Sequence, residues 1–241
     1  MLKTVAFFML FCFTLVAVIP LGAAAFILRL IGLRAAAARF MQRVGLVWSR
    51  LIIAATGSRL EARGLENIPA AGGVCFVGNH PGIFDILIAL SLIDRPFGFT
   101  AKKEAAFYPF VGLYVWLLGG VFIDRKSARN ARRAIEAGVE RIRRGGAMII
   151  FPEGTRNRGH GMLPFRPGAF KLATLADAPI VPVSITGSED VWESAMRVRG
   201  ARVRVAFGKP IPTAGLQGDE RRALVERTQE AILAGLGEGS R

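Results

Sequence analysis

The chain is poor in the residues that build disulfide frameworks and metal centres. It has two cysteines, Cys12 inside an apolar run and Cys75 far from it, so no disulfide scaffold is encoded and no oxidising compartment is required. Its two histidines, His80 and His160, are too few for a poly-His centre, and neither C-x-x-C nor H-E-x-x-H occurs. That excludes the common zinc enzymes. A G-x-S-x-G nucleophile elbow is also missing, which argues against a serine hydrolase of the α/β type. The first 59 residues contain no acid at all.

What is present is apolar and basic. Of 241 residues, 52% are hydrophobic and the formal net charge is +14; the mean hydropathy is +0.39 and the pI about 11.2. Such a chain is too apolar for disorder or for a typical cytosolic enzyme. Its charge points to a polyanionic partner: an anionic membrane, phosphorylated substrates or nucleic acid.

Half of the positive excess lies in the first quarter of the chain, as Lys3, Arg29, Arg34, Arg39, Arg43, Arg50 and Arg59. Between them, Thr4 to Leu28 runs without a charge. As a helix this stretch reaches ~38 Å at about 1.5 Å per residue, against a hydrocarbon core of roughly 30 Å. Pro20 is expected to kink or shorten it. In the next stretch, Ala35 to Ala55, a helix places Arg39, Arg43 and Arg50 within ~40° of one another, at about 100° per residue. Phe40, Met41, Val44, Val47, Trp48 and Leu51 project from other sides. This pattern suits a helix in the headgroup region of anionic lipid; a core-packed helix with a solvated arginine stripe fits it too. Lys3, the apolar run and Ala23-Ala24-Ala25 have the layout of a cleavable signal, but the arginine-rich segment that follows resists export. The expectation is a retained anchor over residues 1–58, with the rest of the chain, 59–241, at the membrane's cytoplasmic side (the inner membrane in a bacterium).

After Arg59, short apolar runs alternate with helical patterns. Strand-like runs are Val74–Val77, Phe97–Ala101, Gly120–Ile123, Ala147–Phe151, Ile180–Ile185 and Arg202–Phe207. Helical patterns fall at Gly82–Ile93, Pro109–Leu118, Ser127–Arg143, Pro167–Ala176 and near Asp219–Leu236. This alternation predicts an α/β domain with a mixed, largely parallel sheet flanked by helices.

Five stretches carry candidate chemistry. In Asn79-His80-Pro81-Gly82-Ile83-Phe84-Asp85, a strand ends and a helix begins. Asp85 is placed to fix one ring nitrogen of His80 and leave the other as a base. With no nucleophile elbow, this pair points to direct proton removal from a substrate hydroxyl. In Phe151-Pro152-Glu153-Gly154-Thr155-Arg156, a hydrophobic strand ends at the usual ligand crevice of an α/β sheet. There Gly154 permits a tight turn and Arg156 offers a planar fork for phosphate, which Glu153 could orient. Gly119 to Arg125 and Ala101-Lys102-Lys103-Glu104 are further strands ending in cations, and solvated side chains explain those equally well. Val181-Pro182-Val183 reads as a buried strand whose proline marks an edge, a bulge or a ligand wall.

Taken together in chain order, the stretches at 79–85, 119–125, 151–156 and 181–183 resemble the motifs of the glycerolipid acyltransferase family, most closely its 1-acylglycerol-3-phosphate acyltransferases. N-H-x-x-x-x-D matches Asn79-His80 and Asp85; a Gly-rich strand ending F-I-x-R matches Gly119 to Arg125; F-P-E-G-T-R matches Phe151 to Arg156; V-P-V matches Val181 to Val183. The resemblance implies that His80 is the base supported by Asp85, and that Arg125 and Arg156 serve the acceptor's phosphate. Lys102 or Lys103 shares that task, and Glu153, Gly154 and Thr155 complete the loop. It also implies a thioester co-substrate, acyl-CoA or acyl carrier protein, with no cofactor or metal, and attachment to anionic membrane lipids. Lysophosphatidic acid is the acceptor expected and phosphatidic acid the product. Another lysolipid acceptor, or a non-catalytic lipid-binding role, fits the same residues. The basic run Arg125–Arg144 lacks the aromatic interleaving of a nucleic-acid surface, so no nucleic-acid partner is expected.

Overall fold

The structure is a computed structural model that describes residues 1–108, 111–124 and 127–237. Three helices come first: α1 (Leu2–Ala17), α2 (Ile19–Leu30) and α3 (Arg34–Thr56). Pro20 sits in the first turn of α2, where its missing N–H breaks no helical bond, so α2 restarts there. Seven strands follow: β1 (Arg59–Arg63), β2 (Val74–Gly78), β3 (Phe97–Lys102), β4 (Val121–Ile123), β5 (Ala147–Ile150), β6 (Ile180–Thr186) and β7 (Arg202–Phe207). They form one sheet in the order β1-β7-β6-β2-β5-β3-β4. Every pairing is parallel except β6 with β7. The connecting helices are α4 (Asp85–Leu92), α5 (Val111–Leu117), α6 (Ala128–Arg143), α7 (Lys171–Thr174) and α8 (Gly218–Gly237).

Strand alternation divides the core in two. Val74 and Phe76 of β2 join Ile88 of α4, Ile52 and Ile53 of α3 and Phe7 of α1 on one face. Cys75 and Val77 point the other way, toward Val139 and Ile142 of α6, Leu172 of α7 and Ile232 of α8. Burial pushes the Cys75 thiol up to about 12, which leaves it inert as a nucleophile. The basic helix α6 and the apolar helices α1–α3 therefore cover opposite faces of the sheet. Since Phe7 and Ile52 lie in the core shared with β2, the hydropathy boundary near residue 58 is not a boundary in packing.

Two features differ from the sequence reading, and a third decides between its alternatives. β1, Arg-Leu-Glu-Ala-Arg, has no apolar run; it is an edge strand held partly by Glu61, which pairs with Arg202 of β7 at 2.6 Å. Pro182 lies on an interior strand, at the point where β6 leaves β7, and its carbonyl accepts the Gly208 N–H at 2.9 Å. Helix α3 has the form of the second alternative weighed for it, a core-packed helix with an arginine stripe at the surface. Met41, Gly45, Ser49 and Ile52 are buried, with Gln42 Nε2 donating to the Ile93 carbonyl at 2.9 Å, while Arg39, Arg43 and Arg50 share an exposed flank with Val47 and Leu51.

Candidate active site

Because β2, β5 and β6 are adjacent and parallel, the segments leaving their carboxyl ends meet at one edge of the sheet. Asn79 continues the β2–β6 ladder with its side chain: Nδ2 donates to the Ile185 carbonyl and Oδ1 accepts the Ile185 N–H, both at 2.8 Å. The chain then turns through His80, Pro81 and Gly82, and α4 starts at Asp85, three residues later than the pattern implies. This delay puts Asp85 in the first helical turn, folded back on the loop. His80 Nδ1 lies 2.6 Å from Asp85 Oδ2, which also accepts the Gly82 N–H at 3.0 Å. The other carboxylate oxygen, Oδ1, accepts the Ser188 hydroxyl. Asp85 is fully buried, and burial holds its carboxyl above the usual range; the bonds from His80, Ser188 and Gly82 pull the other way.

The His80 ring stacks on Phe151, with centroids 4.2 Å apart and planes 11° from parallel. With Nδ1–H given to Asp85, Nε2 faces no hydrogen-bond partner among the described residues, and the side chain keeps 20% of its surface open to solvent. A base fixed on one side and accessible on the other is what proton abstraction from a bound hydroxyl requires.

The loop after β5 clamps His80 by its backbone. Glu153, buried, accepts the His80 N–H at 2.7 Å, the Leu163 N–H at 3.0 Å and both Asn157 Nδ2 contacts at 3.1 Å. In return the Asn157 N–H donates to the His80 carbonyl at 2.8 Å. Glu153 is thus turned away from Arg156, whose expected orienting partner it was. Arg156 Nη1 pairs instead with Glu193 Oε1 at 2.8 Å. Gly154 has φ +74°, and a Cβ there would lie 3.0 Å from Arg166 Nε, so the turn requires glycine. Thr155 and His160 are exposed on this loop.

The lysines lie farther along the same edge, Lys102 at the end of β3 and Lys103 just after it, and β3 is separated from β2 by β5. Lys102 is exposed; Lys103 Nζ pairs with Asp124 Oδ2 of the β4 end at 2.9 Å, which raises its pKa. Arg125 lies outside the described residues. Sequence reasoning missed Asn157, Ser188 and Glu193. Ser188 follows the V-P-V strand at the crevice edge, the same logic that marked His80, whereas nothing local distinguishes Glu193.

This edge, with a buried carboxylate behind a half-open imidazole and an arginine beside it, defines a class. The chain belongs to the acyltransferase family, whose model matches residues 59–186. It is 34% identical over 179 residues to the 1-acyl-sn-glycerol-3-phosphate acyltransferase alpha of Ovis aries, covering 73% of this chain and 62% of that one. It thus spans less than two thirds of that relative's length. To the 1-acyl-sn-glycerol-3-phosphate acyltransferase of Escherichia coli it is 31% identical over 169 residues, 70% of this chain and 69% of the relative. The crystal structure of the 1-acyl-sn-glycerophosphate (LPA) acyltransferase PlsC from Thermotoga maritima superposes with a TM-score of 0.83 at 26% identity, covering 99% of this chain and 95% of that one.

Proposed function

We propose that the protein transfers a fatty acyl group from a thioester to the sn-2 hydroxyl of lysophosphatidic acid, giving phosphatidic acid. One observation carries the mechanism. The hydroxyl bonded to the dyad, that of Ser188, is fully buried and given to the far side of Asp85, so among the described residues no hydroxyl or thiol is bonded to His80 Nε2 as a nucleophile for it to activate. The base is left for the acceptor. His80 Nε2 takes the hydroxyl proton as the oxygen bonds to the thioester carbonyl; the C–S bond then breaks, and the departing sulfur recovers the proton from His80. Asp85 holds the imidazole's orientation and stabilises the imidazolium formed in between. On this reading Arg156, one third exposed, meets the acceptor's phosphate, with Lys102 or Lys103 and Arg125 adding positive charge. Acyl-CoA or an acyl carrier protein serves as donor, and no cofactor enters these steps. The relatives' names support the acceptor.

Membrane contact on this reading belongs to α1–α3. Leu2–Leu30 is long and apolar enough to cross a membrane, yet it is tied to the domain along its length. Lys3 Nζ donates to the Thr56 carbonyl at 2.8 Å, Thr4 Oγ1 accepts the Val198 N–H at 3.1 Å, the Leu15 carbonyl accepts the Tyr114 hydroxyl at 2.9 Å, and Arg29 Nη2 reaches the Leu117 carbonyl at 3.1 Å. Outward lie Val5, Met9, Phe13, Phe26 and Ile27, all exposed. These ties support helices embedded beside the domain, in the leaflet facing the cytoplasm, where Arg39, Arg43 and Arg50 meet anionic headgroups. Helix α6, beyond the sheet, does not share that plane.

The test is release of free thiol from acyl-CoA by the full chain in lipid vesicles. Release dependent on added lysophosphatidic acid, with phosphatidic acid formed in equal amount, is expected. Release without any acceptor, yielding free fatty acid, would make it a hydrolase; no release in any condition would leave a lipid-binding protein.

A further inference from the structure

The segment joining β6 to β7 reaches both halves of the site from one side. Ser188 gives its hydroxyl to Asp85 Oδ1, the oxygen that His80 and Gly82 leave free. The contact is built closely: a Cβ at Gly82 would lie 2.9 Å from the Ser188 hydroxyl and carbonyl. Five residues on, the side chain of Glu193 is 4% exposed, and its Oε1 accepts both the Ile83 N–H and Arg156 Nη1 at 2.8 Å. Its other oxygen, Oε2, is buried with no partner among the described residues. A buried carboxylate with one oxygen idle costs stability, and packing alone does not account for it. Glu193 ties the His80 loop to the Arg156 loop, and it holds the guanidinium at one end only.

We infer that this segment supplies two positioning residues for the reaction: Ser188, which keeps Asp85 aimed at His80 as a carboxylate, and Glu193, which anchors one end of the Arg156 fork so that its other edge meets the acceptor's phosphate. The Glu193 half rests on the phosphate acceptor proposed above, whereas the Ser188 half rests on the dyad alone. Without Ser188, Oδ1 is buried and unpartnered, and the ionised carboxyl loses ground to its protonated form. The dyad then takes up its proton at higher pH. The other groups facing it are Glu153 and Arg156 from the loop after β5, and Glu189 and Glu193 from the segment itself. Glu189 is itself held above the usual carboxyl range, by burial first and then by Asp190 and Asp85, so the readout must report His80 directly.

The chain makes that possible, because it has only two histidines and the other, His160, is exposed. In the full-length protein in detergent micelles, the imidazole resonances are titrated by NMR, with His160 as internal reference. Ser188→Ala is expected to move the His80 titration to higher pH, from the loss of a hydrogen bond to the charged Asp85 carboxylate. It should also lower kcat about tenfold with lysophosphatidic acid and 1-acylglycerol alike. An unmoved His80 titration overturns the role of Ser188. Glu193→Gln keeps an acceptor for Ile83 and removes the charge that holds Arg156. It should reduce the preference for lysophosphatidic acid over 1-acylglycerol about tenfold, through KM, and leave His80 unmoved; Glu193→Asp should show a smaller loss of the same kind. In an Arg156→Ala background Glu193→Gln should change that preference no further. Equal slowing of both acceptors, or an additive loss, overturns the role of Glu193. A wild type with no preference for the phosphorylated acceptor overturns the phosphate reading and the Glu193 half with it, while the titration still decides Ser188.

Discussion

The carboxyl edge of the sheet has two halves built to different standards. Around β2, β5 and β6, the side chains of Asn79, Asp85, Glu153, Asn157 and Ser188 are buried and hydrogen-bonded, and most of them bond to the backbone or side chain of another loop. Around β3 and β4, Lys102 is exposed and Lys103 has 44% of its side chain in solvent with one ion-pair partner. The difference fits the two tasks proposed for them. A proton is passed over a hydrogen-bond length, so a small misplacement of the base is costly. A phosphate's charge is felt across several ångströms, and cations in water can supply it. Substitutions in the two halves should therefore differ by orders of magnitude.

The largest effect is expected at His80. His80→Ala should lower kcat by about 10²–10⁴, or roughly 3–5 kcal/mol of barrier, while the thermal unfolding midpoint stays close to wild type. Near-normal turnover would remove the distinction between the two halves. His160→Ala, on the exposed loop beyond the third motif, should leave turnover unchanged.

Much of this contrast was legible in the sequence. The His80–Asp85 pair follows from a strand end, two turn formers and a helix start, which are local signals. Six of the seven strands announce themselves as apolar runs. The rest depends on non-local packing. β1 is a strand because β7 pairs with it, and its own residues carry no β pattern. Glu153 seemed the natural partner of Arg156, three residues away, yet the fold brings the His80 N–H to Glu153 and Glu193 to Arg156 from 37 residues along the chain. Sequence proximity misassigned the pair because each loop is completed by another loop.

A middle-sized effect, on stability, should appear at Asp85. Its carboxyl is raised above its unfolded value, chiefly by burial, so ionised Asp85 costs stability in the folded chain. That cost is complete above the folded pKa and vanishes below the unfolded one, near ~3.9, where both states are protonated. Asp85→Asn should therefore unfold at or above the wild-type midpoint at pH 8, with the difference shrinking as the pH falls toward 4. Its turnover should be strongly reduced at every pH. Calorimetry across this range decides the matter, and an Asn variant clearly less stable at pH 8 would show Asp85 to be a structural ion in the His80 half.

The smallest effect is expected from the lysines, and it separates two residues that the sequence left equivalent. Lys103 is engaged: Asp124 on the neighbouring strand end holds its ammonium at 2.9 Å, and that contact keeps its pKa raised. To serve a phosphate it must exchange this partner, and the gain is reduced by what the exchange gives up. Lys102 is exposed at the end of β3 and has no ion pair among the described residues, so its whole charge is available to an incoming anion. Exposed charge interactions are worth about 0.2–1 kcal/mol, which is a factor of roughly 1.5–5 in a rate constant. Lys102→Ala should lower kcat/KM for lysophosphatidic acid by such a factor at low salt, and Lys103→Ala by less. Because the Debye length falls from ~30 Å at 0.01 M salt to ~10 Å at 0.1 M, the Lys102 effect should shrink over that range. A loss at Lys103 that exceeds the loss at Lys102 and persists at 0.1 M salt would place a tightly built contact on the β3–β4 side, and the two halves of the edge would no longer differ in kind.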